Sequence, residues 1–454
     1  MALKALWRLL KPLAVYDGPM SDSLRRSLGL AGLIFTGIVM IQPTAPMPLF
    51  GIVHQTARGH VTSAILVAML GMLLTAISYG RMAAAYPVAG SASSYVTREV
   101  HPLAGFLAGW SMMMDYVLNP VICTIWCAGA MRNFFPDTPP ELWRMLFAVL
   151  FTFLNLRAIQ TTARINIALT LGMGCVILAV VVAALRYALG QAEPINWLAP
   201  LYDPKHFSVD TFSAGTSLAV LTYIGFDGIS TLGEEVKDAS RNILRGIVGV
   251  CLIIGTLSAI ESYAAQIVWP YGETLPDVDT AYVHIAGRAG GAWLFSLVNL
   301  TLIVATVGSG SGGVLAGARL LYGMGRDGNL PKRLFTYLSP STSIPAANVV
   351  LIGALALTGG YLLTYQQGAE LLNFGAFIGF MGVNLSALLH YGYRKRGAWW
   401  EWLAPLGGFA ICAFLWWNLS FYAKAAGTAW LVVGLLWNGF RRWRGQAQLA
   451  APGE

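Results

Sequence analysis

The chain has 454 residues, of which 56% are hydrophobic and only 11% charged, and its mean hydropathy is +0.61. A water-soluble domain carries about 25% charged residues, so this composition excludes disorder, a coiled coil and an ordinary cytosolic enzyme. The net charge of +8 is scattered singly or in twos and threes, which argues against nucleic acid as a partner and for the lipid bilayer.

The first 26 residues hold Lys4, Arg8, Lys11, Arg25 and Arg26 with no small-residue cleavage pattern. They are expected to form a cytoplasmic N-terminal segment (1–26) with a short amphipathic surface helix around Leu3 to Leu13, not a cleavable signal. Apolar runs bounded by charge, Pro or Gly then follow near 28–53, 61–85, 103–131, 142–159, 166–189, 212–235, 244–269, 291–324, 347–365, 369–391, 402–421 and 425–440. At about 20 residues per crossing, these read as twelve transmembrane helices with little chain left over. With the N-terminus inside, 22 of the 29 Lys and Arg fall on the cytoplasmic side. That bias predicts an even span count with both termini cytoplasmic, including a tail at 441–454.

Three spans depart from a plain helix. The first contains Ile41-Gln42-Pro43-Thr44-Ala45-Pro46-Met47-Pro48, where three prolines remove amide donors and clash with preceding carbonyls. The sixth reads Tyr223-Ile224-Gly225-Phe226-Asp227-Gly228, with glycines flanking a carboxylate at mid-depth. The eighth is long and carries Gly308-Ser309-Gly310-Ser311-Gly312-Gly313. Broken backbone at membrane depth is tolerated only where protein or a water-filled cavity satisfies it. Breaks at matching positions of two five-span halves point to an inverted-repeat transporter with a midplane site.

The remaining chemistry is sparse. Cys123, Cys127, Cys175, Cys251 and Cys412 all fall in apolar segments, so no disulfide framework is expected; the Cys123/Cys127 pair at i,i+4 has no histidine beside it, and no metal site or cofactor is expected. The six histidines lie mostly at loops or span ends, no Ser/His pair or zinc spacing appears in the core, and there is no Walker motif. These absences weigh against an embedded enzyme and against ATP as the driver. A channel would ordinarily need a repeated filter or an oligomeric pore. Asp115, Asp227 and Glu261 lie inside predicted spans with no Lys or Arg at comparable depth. Such an acid is expensive when charged and unpaired, so it carries a proton, meets a cationic substrate, or hydrogen-bonds as a neutral acid.

Several stretches resemble the amino acid–polyamine–organocation superfamily of secondary transporters. They are Ile224 to Lys237 followed by Arg241-Asn242-Ile243, Ala318 to Pro331, Tyr86-Pro87-Val88-Ala89-Gly90-Ser91, Gly109-Trp110 with Asp115-Tyr116, and Asn155-Leu156-Arg157. The resemblance covers about residues 27–440. It implies an all-α integral membrane fold of the leucine-transporter type: a first five-helix repeat (27–190), a second, inverted one (211–391) with helices one and six discontinuous, and two further helices (402–440). It implies a permease for an amino acid or a related amine, with a putrescine-like polyamine as the alternative substrate.

Half-helix ends at the two breaks expose amides and carbonyls, so the substrate is expected against backbone of Ile41, Gln42, Pro43, Thr44 and Ala45 and of Tyr223, Ile224, Gly225, Phe226 and Asp227; the resemblance adds Met113 and Tyr116 facing it and Phe226 as a gate. A sodium site would use span-one carbonyls and the hydroxyls of Thr306 and Ser309. A proton route would use Glu261, the preferred carrier, or Asp115. The family's proton-coupled members that place a lysine in span five are not matched, because that depth holds Gly172 or Met173. The first break also departs from the glycine-rich form of many members and is more like the putrescine-importer branch. H+ or Na+ therefore stays open as the coupling ion.

Overall fold

The structure, a computed structural model, describes residues 28–86, 91–157, 163–192, 195–232, 236–326, 328, 330–339, 344–394 and 398–443. The expected N-terminal segment, its surface helix, most of the 441–454 tail and the motif residues Pro87 to Gly90 and Gly233 to Glu235 lie outside them. The described residues contain no β-strand; the chain is all-helical and multi-pass.

In chain order the helices are α1 (Leu30–Ile41), α2 (Phe50–Thr56), α3 (Val61–Ala85), α4 (Ser91–Glu99), α5 (Pro102–Arg132), α6 (Pro140–Leu156), α7 (Ala163–Leu189), α8 (Val209–Ala219), α9 (Ala239–Val268), α10 (Ala281–Arg326), α11 (Lys332–Phe335), α12 (Ala346–Leu362), α13 (Tyr365–Ala387), α14 (Trp400–Trp417) and α15 (Phe421–Trp443). Six described segments are long and apolar enough to cross a membrane by themselves, and α14 and α15 meet at a bend of 111°. On α7, Leu171, Leu178 and Leu185, seven residues apart, are exposed by 62%, 64% and 50%. A leucine stripe of that width is a lipid-facing surface, because water would not tolerate it.

The first span divides as the prolines require. α1 stops at Ile41, Gln42 turns to φ 74°, and α2 begins only at Phe50. Pro43, Pro46 and Pro48 have no N–H, so residues 42–49 advance by tight turns in which Ala45 N–H reaches the Gln42 carbonyl and Met47 N–H the Thr44 carbonyl. The sixth span divides too. α8 tightens into a 3-10 turn at Val220–Tyr223, Gly225 takes φ 113°, and a second 3-10 segment runs from Phe226 to Leu232. Only glycine adopts that backbone without strain.

The eighth span corrects the sequence reading. α10 is helical through Gly308–Gly313, and its one non-helical residue is Gly291, at φ 78°. The glycines serve close approach instead: a Cβ at Gly310 would meet Phe151 of α6 at 2.6 Å, and one at Gly313 would meet Asn119 of α5 at 2.5 Å. A stripe of small residues lets helices pack backbone to backbone. The connection between α3 and α5 contains the nine-residue helix α4, held between α5 and α13.

The two breaks end up against each other. α9 packs along α3 in the most extensive helix pair, and both α10 and α13 pack along α5. α1 lies on α9 and on the 3-10 segment after the second break. A Cβ at Gly225 would sit 3.5 Å from the Met40 carbonyl oxygen and from Ile41, and one at Gly228 would sit 3.5 Å from the Met40 sulfur.

Candidate functional site

The facing breaks set the candidate site. Thr44, Tyr223, Phe226 and Asp227 are all buried, at 1%, 0%, 0% and 4% exposure. The Tyr223 hydroxyl donates to the Ile65 carbonyl of α3 at 2.9 Å, which takes its side chain out of the centre and leaves its backbone there. Phe226 is edge-on to Tyr79 of α3 and tilted against Phe380 of α13, with centroids 5.5 and 5.2 Å away. That aromatic lid joins the second break to two neighbouring helices.

Asp227 lies in the first turn of the Phe226–Leu232 segment, where the Gly228 N–H donates to the Gly225 carbonyl at 3.1 Å and the Ser230 hydroxyl to the Asp227 carbonyl at 2.6 Å. Asp115 and Tyr116 of α5 interact electrostatically with Asp227, as does Tyr79. The structure thus brings together Asp115, Tyr116 and Asp227 of the sequence-derived candidates. Met113 is buried nearby on α5, whereas its neighbours Met112 and Met114 pack on Gly379 and Gly375 of α13.

Gln42 ties the first break to α10 by donating its side-chain amide to the Ala305 carbonyl at 2.9 Å. Thr306 is buried beside it, and Ser309 accepts from Asn119 of α5 at 3.3 Å. Glu261 of α9 sits apart from the three acid and tyrosine side chains. It is fully buried, both carboxylate oxygens lack a hydrogen-bond partner, and its backbone carbonyl accepts from Tyr282 at 3.2 Å. Ser258 and Ser262, within one turn of it, are also buried with unpartnered hydroxyls.

Two features escaped the sequence reading. Tyr79 and Tyr95 are buried with unpartnered hydroxyls; a tyrosine in mid-span was the available signal for the first. At the face where α1 begins, the buried Glu99 of α4 accepts from Tyr86 at 2.5 Å and contacts His390 Nδ1 at 2.6 Å and Arg394 at 3.1 Å. His390 and Arg394 belong to a π-helical extension of α13, Leu388–Arg394, whose wider turn aims both at one carboxylate.

On the opposite face, a cavity of about 400 Å³ is lined by Arg58, Tyr187, Gln191, Asp203, Tyr271 and Arg288, among others. His60 donates through Nδ1 to the Ala57 carbonyl and accepts the Asp203 N–H at Nε2, so its ring bridges two connecting segments. A hydrogen bond from His206 and the Lys205 N–H hold the Asp203 carboxyl below its ordinary range. The cavity lies among loops, away from both breaks.

Comparison with known proteins decides the family. The amino acid permease model matches residues 33–451. The chain belongs to the amino acid permease family. It is 31% identical over 429 residues to the low-affinity putrescine importer PlaP of Escherichia coli (strain K12), covering 91% of this chain and 93% of that one. It is 26% identical over 440 residues to the branched-chain amino acid permease BcaP of Bacillus subtilis (strain 168), covering 91% and 92%. A methylthioribose transporter of the same organism is 25% identical over 392 residues, covering 81% and 82%. This permease is therefore a multi-pass membrane protein of a transporter family whose members move small solutes.

Proposed function

We propose that this permease is a secondary transporter that moves an amino acid or a related amine across the cytoplasmic membrane by alternating access. In this reading twelve crossings form two inverted repeats, 27–190 and 211–391, with 402–440 added and both termini cytoplasmic. The observation that carries the proposal is the pair of facing breaks, with Met40 and Ile41 against Gly225. Two interrupted helices that meet at mid-depth offer free backbone groups to a solute in a place shielded from lipid. The pairing of α3 with α9 and of α5 with α10 also fits, since each joins equivalent helices of the two halves. The relatives' printed substrates, putrescine and branched-chain amino acids, share an amine.

The coupling ion is H+ or Na+: Glu261, a fully buried acid with unpartnered oxygens, suits a proton, and the hydroxyls of Thr306 and Ser309, on the helix that Gln42 ties to the first break, suit sodium. The test is uptake into proteoliposomes of fixed neutral interior, with the external buffer neutral or acidic. Labelled putrescine or leucine is expected to accumulate above its external concentration when a proton gradient is imposed. Equilibration without accumulation would indicate a channel, chemical conversion of the solute would indicate an enzyme, and either would overturn the proposal.

A further inference from the structure

The basic residues of the face opposite the start of α1 are unevenly placed. In the reading above that face is the outer one, and it carries only seven of the 29 Lys and Arg. Two of the seven, Arg58 and Arg288, line its cavity of about 400 Å³, and Arg186 and Lys205 stand within two positions of the lining residues Tyr187 and Asp203. The acids of the cavity are already spent, Glu273 on Arg288 and Asp203 on His206. Arg288 also donates through Nε to the Tyr187 hydroxyl at 2.9 Å and lies over the Trp269 ring at 4.8 Å. Arg58 has no hydrogen bond, ion pair or ring contact among the described residues, and it follows the end of α2 at φ 47°. That left-handed backbone suits glycine and strains an arginine, and strain of this kind persists at ligand clamps.

The cavity lies where the lipid-facing surface ends. The leucine stripe of α7 continues past Leu185 to Leu189, exposed by 73%, and the lining residues Tyr187 and Gln191 sit two positions to either side of it. The segment 195–203 supplies more of the lining and holds Trp197, Leu198 and Tyr202 outward, Leu198 exposed by 69%. Its backbone is pinned: Tyr263 of α9 donates to the Trp197 carbonyl at 2.8 Å, the Ser63 hydroxyl of α3 donates to the Leu201 carbonyl, and the Asp203 N–H donates to His60. Tryptophan and tyrosine held outward at the end of a lipid-facing helix mark the headgroup level of a bilayer. The free guanidinium of Arg58 therefore stands at the depth of lipid phosphates.

We propose that this cavity binds the headgroup of an anionic phospholipid of the outer leaflet, its phosphodiester on Arg58 and its acyl chains along the leucine stripe of α7. A guanidinium presents paired N–H donors that match a phosphate. Tyr187, Gln191 and Asn196 of the lining offer polar groups to the glycerol hydroxyls of a phosphatidylglycerol. The bound headgroup joins the end of α2, the outer half of the broken first span, to α7 and to Arg288 of α10. The site needs only that the chain sits in a bilayer, so it stands or falls apart from the transporter reading.

The test is native mass spectrometry of the full-length permease, released from micelles that hold phosphatidylglycerol and phosphatidylcholine of the same acyl chains in equal amounts. The native protein is expected to retain phosphatidylglycerol about fivefold over phosphatidylcholine, the worth of one cation at a membrane surface. Arg58→Gln is expected to bring the two lipids to parity with its melting temperature unchanged. Arg58→Gly removes the guanidinium and relieves the backbone, so it is expected to lose the preference and to melt no lower than the native protein. Equal retention of the two lipids by the native protein, or a preference that survives in both Arg58 variants, would overturn the proposal. Displacement of the lipid by millimolar inorganic phosphate would assign the site to a free anion and overturn its lipid occupant.

Discussion

Asp227→Asn is expected to reduce uptake about 100-fold while leaving the protein folded. The magnitude follows from hydrogen bonds to a charged group, which are worth about 1.5–3 kcal/mol. Asparagine keeps the volume but removes the charge and replaces one acceptor by a donor in the first turn of the Phe226–Leu232 segment. A cationic solute then loses the buried acid at the second break. The measurement is kcat/KM for labelled putrescine in proteoliposomes, alongside the melting temperature in detergent. Near-normal uptake by the variant would remove Asp227 from the site. A lower melting temperature with uptake preserved would make its role structural.

Glu261→Gln is expected to abolish uptake driven by a pH gradient and to leave substrate binding intact. Burying an unpaired carboxylate costs several kcal/mol unless it is protonated or partnered, yet Glu261 is fully buried with both oxygens free. The open hydroxyls of Ser258 and Ser262 beside it give water a polar foothold, and its backbone holds the Tyr282 hydroxyl of α10. Glutamine preserves the shape and cannot cycle a proton. Uptake is measured with the external buffer stepped from pH 8 to pH 5.5 at fixed interior pH. The native protein is expected to speed up with external acid, and the variant to run at its slow exchange rate throughout. A variant with the native pH dependence would exclude Glu261 as the carrier.

Much of the frame was legible in the sequence because its signals are local. Three prolines in six residues forbid a helix wherever they occur, so the end of α1 at Ile41 could be read directly. Gly225 between Ile224 and Phe226 was similarly readable, since a break needs a residue that takes positive φ. The Gly308–Gly313 stretch misled for a physical reason. Glycine permits a break and permits close packing, and the choice fell to Asn119, Pro120 and Phe151, which lie far away in sequence and close over α10 in space.

The site itself was legible only in part. Asp115 and Asp227 were visible as acids without basic company, and they interact. Tyr79, by contrast, reaches the site through its edge contact with Phe226, 147 positions on by residue number, and nothing in its own helix announces that. Glu99 is similar: its partner His390 is 291 residues away. Side chains whose role depends on a distant helix are set by packing, which local pattern does not encode.

The central claim is that the ends of α1 and the start of the Phe226–Leu232 segment together hold the transported solute. It is tested most directly by a high-resolution structure of the permease with putrescine bound. The expected result is density for the diamine between Ile41 and Asp227, its ammonium groups on the Met40 and Ile41 carbonyls and the acid side chains. A helix running unbroken through residues 42–49, or putrescine lodged only in the cavity at Arg58 and Arg288 with nothing between the breaks, would contradict it.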